Sequence, residues 1–74
     1  MSASHRIVIA SPPDREGVVA EIWHGDEMWG EVANEEGRLT LEFYPKEPKG
    51  TWLFDYDEAL NAIQTARSKL LGKE

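Results

Sequence analysis

Arg38-Leu39-Thr40-Leu41-Glu42-Phe43-Tyr44 alternates between the two sides of an extended chain, so that Leu39, Leu41 and Phe43 share one face and Thr40, Glu42 and Tyr44 the other. A period of two sustained over seven residues is the mark of a strand with one face against a core. Immediately upstream, Asn34-Glu35-Glu36-Gly37 reads as a turn, preceded by Glu27-Met28-Trp29-Gly30-Glu31-Val32-Ala33 as a second strand. A four-residue connection here sets Val32 opposite Leu39 and Met28 opposite Phe43, with Gly30 beside Leu41 on the inner face.

Working further back, Val18-Val19-Ala20-Glu21-Ile22-Trp23 forms a third strand, joined through His24-Gly25-Asp26. A two-residue Gly25-Asp26 turn would pair Met28 with Trp23 and carry Val19 and Glu21 inward. A three-residue loop pairs Met28 with Ile22 and is preferred, because its inner face of Val18, Ala20, Ile22, Met28, Val32, Leu39, Leu41 and Phe43 buries no carboxylate. Arg6-Ile7-Val8-Ile9-Ala10 is a short β-branched run stopped by Pro12 and Pro13, which lack backbone donors. It either pairs with the next strand or crosses to the far edge.

Downstream, the polar loop 45–50 leads to Thr51-Trp52-Leu53-Phe54, a short apolar segment that adds an edge strand or plugs the core. Asp55 has the position of a helix N-cap, with Glu58 at capping-box spacing and Asp57 in the first turn, where the helix dipole favours negative charge. Tyr56, Ala59, Leu60, Ile63, Ala66, Leu70 and Leu71 follow at helical spacing, Arg67, Lys69 and Lys73 lie at the C-terminal end, and Gly72 can close the helix. The expected fold class is α+β: an antiparallel β-meander of four strands, or five if 51–54 joins the sheet, with one C-terminal helix on one face. All 74 residues form a single domain, with a tail over 1–5, the sheet over 6–54 and the helix over 55–72.

The chain has no cysteine, so neither a disulfide framework nor a thiolate metal site holds it together. The N-terminal residues lack the apolar stretch of a signal peptide and no segment has the length of a membrane span, so a cytoplasmic location is expected. The formal net charge is −6, and between Asp14 and Tyr44 nine acidic residues face only Arg15 and Arg38. Such a field repels phosphate backbones and anionic lipid, which disfavours direct nucleic-acid or membrane binding and favours a partner protein with a basic surface.

Catalysis lacks recognisable parts. His5 and His24 are the only histidines, with no cysteine and no Gly-x-Ser-x-Gly elbow, and no phosphate-cradling glycine loop occurs. His24 with Asp26 and Glu27 could chelate a divalent ion, and Asp55, Asp57 and Glu58 could hold calcium, but solvation explains the first group and helix capping the second. Neither enzymatic activity, nor a cofactor, nor a metal is expected.

The outer face is different from an ordinary solvated sheet face. The expected register sets Trp29 between Glu21 and Glu42, with Trp23, Tyr44 and Glu31 on the same side. Large aromatics ringed by acids have the make-up of an interface, in which the aromatics anchor and the carboxylates select a basic partner. Trp23, Trp29, Tyr44, Glu21, Glu31 and Glu42 are therefore the candidate partner-binding residues. The plainer account is that the aromatics are cross-strand or core residues that stabilise a small sheet.

Ile9-Ala10-Ser11-Pro12-Pro13-Asp14-Arg15-Glu16, followed by Val19-Ala20-Glu21-Ile22, resembles the opening of a group of short uncharacterised bacterial proteins that also end in an amphipathic helix, a resemblance that implies no activity. In size, charge and architecture the chain is similar to small immunity or inhibitor proteins, which cover the site of a toxin or nuclease. The expected function is that of a non-catalytic, acidic protein-binding domain, immunity-type or a regulatory inhibitor, acting through the open sheet face. The alternatives are a homodimeric structural or accessory protein of a larger assembly, and an inhibitor that mimics nucleic acid.

Overall fold

The structure, a computed structural model, describes residues 5–14, 17–46 and 48–72. Arg15 and Lys73, and all of the expected tail except His5, lie outside the described residues. Four strands, β1 (His5–Ala10), β2 (Val19–His24), β3 (Glu27–Glu35) and β4 (Arg38–Phe43), form an antiparallel sheet in the order β1-β2-β3-β4, and α1 (Tyr56–Leu70) packs on one face. This is the expected α+β meander, with β1 beside β2. His5 belongs to β1, where it pairs with His24. The 51–54 segment adds no fifth strand; Trp52 and Phe54 turn into the core while Leu53 points out at 93 % exposure.

The two hairpin registers differ from the sequence reading, each for a local reason. The β3–β4 connection is a two-residue turn, Glu36-Gly37, which pairs Glu35 with Arg38 and Val32 with Leu41. Both turn residues have positive φ, 56° and 86°, the geometry that matches strand twist, and the Asn34 side chain accepts a hydrogen bond from the Gly37 N–H. The slip from the expected pairing is two residues, so each side chain keeps its face. In the β2–β3 hairpin, Gly25-Asp26 is likewise a two-residue turn that pairs Trp23 with Met28, but the ladder resumes with Ile22 opposite Gly30. Trp29 is the extra residue, a β-bulge. Met28 thus lies on the outer side with Trp23, opposite to expectation, while Ala20 and Ile22 still face inward.

The core lies between the helix and the inner face: Ala20, Ile22, Trp29, Val32, Ala62 and Ala66 are buried, with Ile7, Leu39, Ala59, Ile63 and Leu70 packed around them. Ala62 was not anticipated among the contact residues; with Ala66 one turn on, it presents a flat strip that lets the helix approach the sheet closely. Tyr56 and Leu60, expected on the buried stripe, are 76 % and 40 % exposed, and Val18 is 46 % exposed just before β2 begins. The caps agree with the sequence: the Asp55 carboxylate accepts from the Glu58 N–H, and Leu71 and Gly72 close the last turn, the latter with φ 73°. The helix backbone lies over β1, β2 and β3, and none of its Cα atoms comes within 8 Å of one in β4, although Leu39 of β4 packs against the core that the helix shares.

Glu36 is the described non-glycine residue held at positive φ, a conformation that asparagine adopts more readily. Glu36→Asn should stabilise the domain by about 0.5–1 kcal/mol and raise the thermal midpoint by a few degrees. A calorimetric scan showing a lowered midpoint would contradict the assigned turn.

Candidate functional site

The six candidate residues do not share a face. Trp29 is 3 % exposed and lies on the helix side, where its indole N–H donates to His5 Nδ1 at 3.1 Å and its ring meets Phe54 at 4.8 Å and Phe43 at 6.5 Å. The bulge is the cause, because the extra residue rotates Trp29 to the side of Ile22 and Gly30. The neighbouring Gly30 is buried as well, and a Cβ there would have Ile22 Cδ1, the Glu42 carbonyl oxygen and Leu41 Cδ1 as its nearest atoms beyond the adjacent residues, all at ordinary contact distances. The expected role of Trp29 as an exposed anchor is therefore corrected to that of a core residue.

Trp23, Glu21, Glu31, Glu42 and Tyr44 do lie on the outer side, and neighbours within the chain hold them. The Trp23 indole N–H donates to Glu21 Oε1 at 3.0 Å, and the Arg6 guanidinium sits 5.3 Å from the centre of the Trp23 ring. Tyr44 O–H donates to Glu31 Oε1 at 2.9 Å. Glu21, Glu31 and Glu42 are directly opposite one another across β2, β3 and β4. Like charges so placed repel, and the indole and phenol donors offset part of that repulsion. The middle of this face is closed: Val19, Ala33 and Glu31 are 1 %, 4 % and 7 % exposed. An open, aromatic-rich outer face is thus not what the structure presents.

The end of the sheet under the loop before α1 holds a cluster that sequence reading did not assemble. His5 and His24 face each other across β1 and β2 with ring centres 5.3 Å apart, and Phe54 packs on both at 4.8 and 5.1 Å. Trp52 stacks on Phe54, donates from its indole to the Tyr44 carbonyl at 2.9 Å, and carries Lys46 4.7 Å above its ring. Lys46 also pairs with Glu27 at 3.0 Å. Among the described residues no group of three or more histidine or acidic side chains is arranged to hold a metal ion. No described helix is long and apolar enough to cross a membrane.

His5 accepts the Trp29 N–H on Nδ1, so its proton sits on Nε2, which is buried and has no hydrogen-bond partner among the described residues. Burial, and to a lesser degree His24, push the His5 pKa below the ordinary 6.5, against a smaller opposing influence of Glu58.

β4 carries part of the exposed apolar surface of the described residues, the rest of which lies at Ile9, Val18, Leu53, Tyr56 and Leu60. Phe43 is 65 % and Leu41 37 % exposed on the helix side, next to the partly buried Leu39. The Tyr44 N–H bonds to the Trp29 carbonyl, and antiparallel alternation from that pair turns the even-numbered backbone groups of β4 toward β3. The N–H and C=O groups of Leu39, Leu41 and Phe43 point outward along an unpaired edge of the sheet.

Trp29→Ala should cost about 3–5 kcal/mol, comparable with the whole stability of about 4–11 kcal/mol for a domain of this length, whereas Trp23→Ala should cost about 1 kcal/mol. Equal urea midpoints for the two variants would contradict the buried position of Trp29. The lowered His5 pKa has a sign: the folded state binds fewer protons than the unfolded chain between that pKa and 6.5, so stability is complete above this window and falls as pH drops through it. His5→Gln keeps an acceptor for Trp29 without titrating there, and from about pH 7.5 to about pH 5 it should lose less stability than the wild type. Parallel losses would remove His5 from the account.

No protein family, curated protein or solved structure matches the chain.

Proposed function

We propose that this is a non-catalytic protein-interaction domain whose contact surface is the free edge of β4 together with the apolar strip beside it. The observation that carries the reading is the coincidence, on one six-residue strand, of outward backbone donors and acceptors with the exposed side chains of Leu41 and Phe43. An exposed apolar strand edge is a template for pairing with another chain, in which main-chain hydrogen bonds hold the partner and side-chain contacts select it. Natural sheets blunt such edges with proline, lysine or a covering helix. β4 has neither residue within it, its charged side chains being Arg38 and Glu42, and the Cα atoms of α1 stay more than 8 Å from its own.

A second reading keeps the outer face. The three carboxylates of Glu21, Glu31 and Glu42 across adjacent strands, within a chain of net charge −6, favour a basic protein surface, in the manner of an immunity-type or regulatory inhibitor or a nucleic-acid mimic. Its weaker support is that Trp23 and Tyr44, which would anchor such a contact, are tied to Glu21 and Glu31.

The two readings separate in a capture experiment from a cell extract with three immobilised proteins: the wild type, Leu41→Lys/Phe43→Lys and Trp23→Ala, each first shown to be folded by circular dichroism. A partner retained by the wild type and by Trp23→Ala and lost by the β4 variant is the expected result. Loss on Trp23→Ala with retention by the β4 variant would transfer the site to the outer face.

A further inference from the structure

We propose that β4 pairs with β4 of a second copy, antiparallel, about a two-fold axis passing between two facing Thr40 residues, so that Arg38 of each copy lies opposite Glu42 of the other. This rests on the reading of β4 as the contact surface and names its occupant.

The strand's own sequence supplies the argument. A two-fold axis perpendicular to the sheet keeps helix-side residues on the helix side in both copies, so facing residues must come from the same side of the strand. Three central registers meet that condition with most of β4 in contact. Centred on Glu42, two carboxylates meet head-on, which is unfavourable. Centred on Leu41, Thr40 meets Glu42 and Arg38 meets Tyr44, and no opposite charges face each other. Centred on Thr40, both Arg38–Glu42 pairs form on the outer side, the threonines meet at the axis, and Leu39 faces Leu41 twice on the helix side. The charges select the third register.

The backbone permits that register. Leu39 and Leu41 direct their N–H and C=O groups outward, so each Leu39 meets Leu41 of the second copy as a hydrogen-bonded pair, and Thr40, whose groups turn to β3, takes the close non-bonded position at the axis. Arg38 stands opposite Glu35 in its own hairpin and would bridge from it to Glu42 of the second copy. Glu42 has an interaction within its own chain, and a carboxylate has lone pairs for further donors. Because the α1 backbone lies over β1 to β3 and not over β4, two helices related by this axis stand apart, with Leu41 and Phe43 of both copies on the surface between them. The pairing closes on itself, since each copy uses its β4 once. A six-residue edge with three apolar side chains belongs at the small end of interfaces, below about 1,200 Å2 in total, so a micromolar dimer is expected.

The test is the mass in solution, by sedimentation velocity, of the wild type, Arg38→Glu, Glu42→Arg and an equimolar mixture of the two variants, from low micromolar to millimolar concentration. The wild type should pass from 8.4 kDa to twice that mass. Each variant alone sets like charges opposite each other at both ends of the seam and should weaken dimerisation about tenfold or more. The mixture restores both ion pairs and should recover the dimer, which a folding defect in either variant could not mimic. Variants that dimerise like the wild type, a mixture that stays monomeric, or a wild-type mass climbing beyond the dimer would each overturn the proposal. A wild type that is monomeric throughout, yet captures a different protein through Leu41 and Phe43, overturns self-pairing while leaving β4 as the contact surface. A monomer whose capture is indifferent to those two residues overturns both.

Discussion

The fold turns on the placement of one extra residue in β3. A two-residue Gly25-Asp26 turn with an unbroken ladder would send Val19, Glu21 and Trp23 to the helix side and strand a carboxylate in the core. The bulge at Trp29 removes that conflict, because the register slips by one between Trp23–Met28 and Ile22–Gly30. Ala20 and Ile22 then join Val32 on the inner face, and Trp29 comes with them. An indole buries some 200 Å2 and needs an acceptor for its N–H. The first demand is met in a core that holds the small side chains Ala20, Ala62 and Ala66, and the second by His5 on the far edge strand.

Trp29 therefore ties three separate parts of the chain together. Its hydrogen bond fixes the start of β1, its ring seats Phe54 just before the helix N-cap, and Phe43 stacks on it. The His5–His24 pair and the Trp52–Phe54 stack extend the same cluster over the end of the sheet. Much of what would be spare aromatic surface in a chain of this composition is thereby turned inward at one end. The cost falls on His5, which must stay neutral with a buried N–H to play its part.

What could be read in the sequence, and what could not, follows from the same bulge. β4 was legible because its alternation is unbroken, and the helix because Asp55, Glu58 and Gly72 mark its ends with specific capping chemistry. The meander followed from short turns. The face of Trp29 was hidden because parity counting assumes an uninterrupted ladder, and a single inserted residue inverts the answer at that residue and on its turn-proximal side. Both inversions are seen, in Trp29 and in Met28. The inner residues beyond it keep their expected face because the three-residue loop, which pairs Ile22 with Met28, and the bulge, which pairs Ile22 with Gly30, differ by two residues and so preserve parity. The closure of the outer face was hidden for another reason: alternation says which way Glu31 and Ala33 point, but not that the side chains around them leave so little of them exposed.

The position of the free surface is a matter of dimensions. A helix is about 10 Å across with its side chains, and four strands spaced about 4.8 Å apart present a wider floor. One helix cannot cover that sheet, so one edge must be left open. Here α1 sits over β1 to β3, where Ile7, Ile22 and Trp29 give it apolar contact. The strand farthest from the helix is the one with the most regular hydrophobic pattern: Leu39 packs at the margin of the core and Phe43 stacks on Trp29, yet Leu41 and Phe43 remain exposed. On the outer face, by contrast, Trp23, Tyr44, Glu21 and Glu31 satisfy one another. Stability thus engages most of the aromatic residues of the sheet, while Leu41 and Phe43 on the edge strand stay exposed, which is the ground for proposing the strand edge rather than the sheet face as the contact surface.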